Sequence, residues 1–252
     1  MVFSTILFLF RFLPITLLLY YLAPGKLKNT VLFICSLVFY SWGEVRFFPI
    51  MVVLILIDYV SGLLMERFEG HTGLRRVVLV FSIVGSLSML VFFKYTNFLI
   101  NSLNALAGLS IAPVAGLEVL PLGISFYTFQ TMSYSIDVYR QDVKTEHNII
   151  DFGAYVVMFP QLIAGPIVRY SQIAEQLSSR RHSLDKAALG IRRFILGLGK
   201  KVLLANALGQ LCELFRSSQD KSVLFFWLYA AANMLHIYYD FAGYSDMAIG
   251  LG

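Results

Sequence analysis

The stretch from Leu224 to Gly252 is apolar for the length of a membrane crossing, and Asn233, His236, Asp240 and Tyr244 interrupt it at steps of three, four and four. On a helix those steps stack the four polar groups along one face. The run at 119–139 repeats the pattern, with Tyr127, Gln130, Tyr134 and Asp137 at steps of three, four and three. An acid at the centre of a membrane helix costs roughly 2.5–3.5 kcal/mol even on a mild insertion scale, so both faces are expected to turn inward, onto each other or onto a shared passage. The plainer reading of any one of these residues is an interhelical hydrogen bond, worth on average about 0.6 kcal/mol.

A crossing needs about 20 apolar residues, which predicts helices at 2–22, 30–42, 47–65, 77–93, 119–139, 198–215 and 223–250. The second is short. The segment from Phe98 to Leu109 carries Asn101 and Asn104, is too polar to cross, and is expected at the outer interface. Leu184 to Lys201 mixes basic residues with Ile191, Phe194, Ile195 and Leu198, which predicts a helix along the cytoplasmic surface before the chain turns inward. Within the apolar stretch 149–168, Pro160, Gly165 and Pro166 remove backbone donors and break the helix where lipid offers no replacement partners. The expected shape there is a re-entrant hairpin entering from the cytoplasm.

Composition narrows the class. The 252 residues are 58% hydrophobic and 14% charged, against about 45–50% and about 25% in ordinary globular domains. A soluble domain is excluded, and an all-α polytopic membrane protein is expected. The basic residues gather in one segment, where Arg169, Arg180, Arg181, Lys186, Arg192, Arg193, Lys200 and Lys201 are set against only Glu175 and Asp185. The positive-inside rule puts Arg169–Lys201 in the cytoplasm. Topology thus accounts for the net charge of +5, and no nucleic-acid partner is implied.

Candidate chemistry is sparse. Cys35 and Cys212 lie far apart without metal-ligand spacing and read as buried thiols, so no metal site is expected. His236 and Asp240 are one helical turn apart, which suits an imidazole oriented by a carboxylate as a general base, and equally a histidine that relieves a buried acid. Asp137 and Arg140 are expected to pair. No nucleophile elbow, H-E-x-x-H, phosphate loop or dinucleotide fingerprint is present. Asp240 is expected to face the protein interior and to matter more than any other acid in the chain.

Four longer motifs carry a resemblance: Leu120-Pro-Leu-Gly-Ile-Ser-Phe-Tyr-Thr-Phe-Gln130, Ser135-Ile-Asp-Val-Tyr-Arg140, Met158-Phe-Pro-Gln-Leu-Ile-Ala-Gly-Pro-Ile-Val-Arg-Tyr170 and Ile237-Tyr-Tyr-Asp-Phe-Ala-Gly-Tyr-Ser-Asp-Met-Ala-Ile-Gly250. In that order they resemble the membrane-bound O-acyltransferase (MBOAT) family, on its bacterial branch of alginate O-acetyltransferase membrane subunits. The resemblance implies a ring of transmembrane helices around a thinned funnel, with the re-entrant hairpin at Pro160, Gly165 and Pro166. It implies transfer of an acyl group, usually acetyl, across the cell membrane to an exported polysaccharide such as alginate. The donor would be acetyl-CoA or a carrier-bound acyl group on the cytoplasmic side, with no bound cofactor. Periplasmic or extracellular acyltransferase proteins would be partners, beside the bilayer and the polysaccharide.

Seven residues become candidates for lining the passage: Tyr127, Gln130, Tyr134, Gln161, His236, Asp240 and Tyr244. None is assigned as catalytic. The family's catalytic histidine belongs to a Trp/Arg-rich element after the Asp-Phe-x-Gly-Tyr-Ser motif, which is expected beyond Gly252, and His236 does not match it. The ending Met247-Ala-Ile-Gly-Leu-Gly252 offers no Lys, Arg, Trp or Tyr to mark a membrane exit. Residues 1–252 are therefore expected to be one incomplete membrane domain, cut short at its carboxyl end and inactive alone. The alternatives are a transporter or channel, which also uses broken helices but usually shows paired repeats that this chain lacks, and a non-catalytic assembly partner.

Overall fold

The computed structural model describes residues 3–117, 120–162, 168–180, 182–219 and 222–252. All regular structure among them is helical. In chain order the helices are α1 (Leu13–Leu22), α2 (Lys28–Gly43), α3 (Phe48–Arg67), α4 (Thr72–Ala107), α5 (Ile124–Arg140), α6 (Ile149–Val157), α7 (Phe159–Leu162), α8 (Tyr170–Ser178), α9 (Leu184–Gly199), α10 (Asn206–Ser217) and α11 (Val223–Leu251). A π-helical turn, Phe8–Phe12, precedes α1, and another, Lys200–Ala205, joins α9 to α10. Among the described residues three runs are long and apolar enough to cross a membrane: α3, α4 and the continuous run Leu184–Ser217. The outer faces of α3 and α4 expose Val53, Leu56, Val60, Val80, Phe81 and Val84, as lipid-facing helices do. The chain is an all-α membrane protein.

Two expectations about the extent of the helices are corrected first. The segment from Phe98 onward is not a separate element: it is the last third of α4, which runs unbroken for 36 residues. The helix persists because nothing between Thr72 and Gly108 breaks it; Gly108, at φ +64, ends it in the left-handed conformation that closes many helices. Asn104, one of the two asparagines that made the segment look polar, and Asn97 just before it serve the next loop. Asn97 accepts from Val114 N at 2.9 Å and donates to Val114 O at 3.3 Å, and Asn104 accepts from Ile111 N at 3.0 Å and donates to Ile111 O at 2.8 Å. Each amide stands in for a neighbouring strand. Asn97→Ala with Asn104→Ala is expected to speed hydrogen exchange at Ile111 and Val114 at least tenfold, roughly 1.4 kcal/mol, while α3 is unaffected. Equal protection in both proteins would mean the loop is held by other means. The second correction concerns Leu184 to Lys201, which does not turn where it meets the next span. The helix continues without a break through the π turn into α10.

The helices gather into two compact units, one containing α2–α8 and the other containing α9–α11 with the first residues of the chain. In the first, α3 packs on α4 and α5, and α2 packs on α6. Met51, Leu54, Met65, Tyr127, Tyr134, Phe152, Tyr155 and Leu162 fill its core. At its centre lies Asp58, wholly shielded from solvent. Its Oδ1 accepts from Ser82 at 2.5 Å and Ser135 at 2.7 Å, and its Oδ2 accepts from Ser86 at 3.0 Å. One carboxyl group from α3 therefore ties α4 and α5 to it, and every polar atom of the knot has a partner.

The break between α6 and α7 has a local cause. Pro160 has no N–H to continue the ladder, and Phe159 N donates instead to Ser36 Oγ at 3.2 Å. That leaves the Tyr155 carbonyl without its usual helical donor. Two side-chain amides replace it: Gln130 Nε2 at 2.9 Å and Gln161 Nε2 at 2.6 Å. Gly123 admits the chain here, since a Cβ on it would lie 2.8 Å from Leu162 O and its φ is +74. Gly165 and Pro166, the expected tip of the hairpin, lie outside the described residues.

The loop after α5 closes over the same core. Tyr134 Oη accepts from Glu146 N at 3.0 Å, and Tyr170 Oη donates to Glu146 Oε2 at 2.6 Å. Burial, reinforced by the Glu146 carboxylate, pushes the Tyr170 phenol up, so it remains a donor. Arg75 donates to Val138 O at 3.3 Å and Tyr139 O at 2.9 Å, satisfying carbonyls at the negative end of α5. The expected pair of Asp137 with Arg140 is corrected: Arg140 pairs with Asp142 at 3.2 Å, and Asp137 is buried. A left-handed Gln141, at φ +63, turns the chain so that Asp142 meets Arg140.

Candidate functional site

The second unit is a helical hairpin in which α9, the π turn and α10 run antiparallel to α11. Glycines set how closely the helices approach. A Cβ on Gly190 would lie 2.5 Å from Gly250 O, and one on Gly197 would lie 2.6 Å from Gly243 O; the reciprocal additions meet the opposite backbone at 2.6 and 2.8 Å. Small residues of this kind let membrane helices touch backbone to backbone. Seven residues forward on one helix match seven back on the other. Beyond Gly197 the exchange changes: the chain advances eight residues to Ala205 while α11 steps back seven to His236, whose Nδ1 meets Ala205 O at 2.8 Å. The π turn absorbs the extra residue, as an inserted position in a helix does.

Polar groups follow this seam. Lys201 pairs with Asp240. Asp246 receives Lys200 on Oδ2 at 2.6 Å and Arg193 on Oδ1 at 3.0 Å. Adjacent lysines thus serve acids six positions apart. Tyr244 stacks on Phe3, with centroids 4.7 Å apart and planes at 10°. His236 does not orient itself on Asp240 as its spacing suggested, because a backbone carbonyl and a lysine from the facing helix claim the two side chains separately. A carbonyl only accepts, so His236 Nδ1 carries the proton. Asp240 is also not the most enclosed acid, for its side chain retains 44% of its exposure while Asp58 retains none.

The other candidates sit in the first unit. Tyr127, Gln130, Tyr134 and Gln161 come together around the break after Tyr155 and are buried. Tyr127 meets Tyr40 edge-on at 6.3 Å, and Tyr134 packs on Phe152 and Tyr170 at 4.5 and 5.0 Å. Gln130 and Gln161 share the Tyr155 carbonyl. His236, Asp240 and Tyr244 belong to the hairpin unit. Sequence reasoning missed Asp58, Arg193, Lys200, Lys201 and Asp246. Cys212 is buried and Cys35 partly so, both as free thiols. Among the described residues no cluster of three or more His, Cys, Asp or Glu side chains is placed to hold a metal ion.

The model of the membrane-bound O-acyltransferase family matches residues 37–252. The chain belongs to that family. Over its whole length it is 42% identical to a protein of Pseudomonas aeruginosa named probable alginate O-acetylase AlgI and 41% identical to its Azotobacter vinelandii counterpart. It is 30% identical, again over its whole length, to the peptidoglycan O-acetyltransferase of Helicobacter pylori. The alignments cover 49%, 51% and 54% of those proteins, so this MBOAT chain spans about half the length of the curated relatives it matches. The hairpin seam and the broken helix of the first unit both fall inside the matched region.

Proposed function

We propose that this chain forms part of an O-acyltransferase of the cell membrane that delivers acetyl groups to an exported polysaccharide such as alginate. The likeness to alginate O-acetylases along every part of the chain carries this reading. The donor is acetyl-CoA or a carrier-bound acyl group used from the cytoplasmic side, where the basic segment Arg169–Lys201 offers an approach for an anionic donor. Periplasmic acyltransferase proteins and the polysaccharide complete the system.

Attack by a hydroxyl on a thioester needs the two groups held in near-attack geometry and a base in reach. In this chain Asp240 with Lys201 supplies a fixed charge pair along the passage. His236, held by Ala205 O, positions the wall beside it. Deleting the gene should abolish O-acetyl groups on the exported polysaccharide, measured by hydroxylamine assay, and the wild-type gene should restore them. Asp240→Asn should insert and accumulate normally yet restore only a small part. Unchanged acetylation in the deletion strain overturns the proposal; full restoration by Asp240→Asn reduces the charge pair to packing.

A further inference from the structure

The hairpin carries a second polar feature that the ion pairs leave unused. Asn206, Gln210 and Glu213 lie on one stripe of α10, at steps of four and three, and Asn233 and His236 stand opposite on α11. With Arg216 they line a groove of about 360 Å³, within the range of about 300–1,000 Å³ common for small-molecule sites. His236 marks the middle of the 29-residue α11. Gly209 makes room for it, as a Cβ there would lie 2.9 Å from His236 Cε1. Among the described residues the side-chain amides of Asn206, Gln210 and Asn233 bond to nothing. Asn206 and Gln210 are exposed and Asn233 partly so, and each amide offers two donors and an acceptor to whatever enters the groove.

The lining selects its occupant. An acyl chain gains nothing from three amides and a carboxylate. A polyphosphate would meet one cation, Arg216, beside the repelling Glu213. A sugar ring carries vicinal hydroxyls that both donate and accept, and amides with a carboxylate answer both roles. Arg216 is steadied by its Nε bond to Tyr229 Oη at 3.0 Å, so its terminal nitrogens remain for a ring substituent such as a carboxylate.

We infer that the groove between α10 and α11 is a saccharide subsite that grips one sugar of the acceptor through Asn206, Gln210, Glu213 and Asn233. The inference rests on the transferase reading above. It adds a place for the acceptor within this chain. The test uses the chain in lipid nanodiscs with Gln210→Cys, labelled by a water-soluble maleimide and corrected for the slow background of Cys35 and Cys212. A mannuronate hexasaccharide should slow labelling at least fivefold and saturably. An unchanged rate, equal protection by polyethylene glycol, or a cysteine that never labels because protein fills the groove would each overturn the subsite. In cells, Asn206→Leu with Asn233→Leu should lower polysaccharide O-acetylation at least fivefold at unchanged protein level, and wild-type acetylation would overturn it. Acetylation that depends on the gene without sugar protection sinks the subsite alone. Protection without gene-dependent acetylation sinks the transferase reading instead.

Discussion

Asp58→Leu is expected to destabilise the first unit by about 2–3 kcal/mol, which places the unfolding midpoint roughly 4–12 °C lower for a chain of this size. Three hydroxyls from two helices converge on this carboxyl group. Polar pairs between membrane helices are worth on average about 0.6 kcal/mol and at most about 1.7, so three together give about 2–5 kcal/mol, of which the lower part is expected here. The loss stays moderate because a helical serine deprived of its partner turns back onto the carbonyl four residues earlier. That back-bonding itself bends the helix, so removing the hydroxyls should recover part of the loss: Asp58→Leu with Ser82→Ala and Ser135→Ala is expected to melt above Asp58→Leu alone. Asp58→Asn should fall between Asp58→Leu and the wild type, since an amide retains one acceptor oxygen. Thermal unfolding in detergent measures all four proteins, and a wild-type midpoint for Asp58→Leu would mean that the knot contributes nothing.

Gly197→Leu is expected to part the hairpin. Its Cβ would fall 2.6 Å from Gly243 O and 2.7 Å from Met247 N, and backbone cannot swing aside as a side chain does. Overpacking costs about 1–3 kcal/mol and occasionally more. Here the ion pairs to Asp240 and Asp246 would go with it. Spin labels at Leu189→Cys and Ile249→Cys, both on exposed positions, should report a longer and broader distance distribution. Gly199→Leu is the control, because nothing lies within 4 Å of a Cβ at that position. Identical distances for Gly197→Leu and the control would show that the glycines do not set the approach.

What the sequence made legible was periodicity within a helix, and what it hid was the partner across the interface. The stripe Asn233, His236, Asp240 and Tyr244 is helical as its spacing required. Its partner Lys201 lies in a segment whose charges read as topology, Ala205 lies in the apolar span that follows, and the π turn holding both shifts the facing register by a residue that a 3.6-residue period does not register. Asp58 obeyed the rule that singled out Asp240, an acid inside a long apolar run. It escaped notice because its partners are three serines on other helices, and isolated serines in apolar runs are too common to mark a site. In α4, Asn104 was counted against a crossing, although its amide belongs to the loop that follows. The broken helix at Pro160 was readable from proline chemistry; that Gln130 would mend it from another helix was not.

The π turn at Lys200–Ala205 makes the hairpin a mechanism with two gears. On one side the glycine pairs mesh tooth for tooth, and on the other His236 meshes with Ala205 one tooth later. A bulge of this kind carries one surplus residue, and where it lies along the helix sets the facing of the segment around it by about 100°. Lys200 and Lys201 sit inside that segment, so their grips on Asp246 and Asp240 are the pawl that fixes where the surplus residue rests.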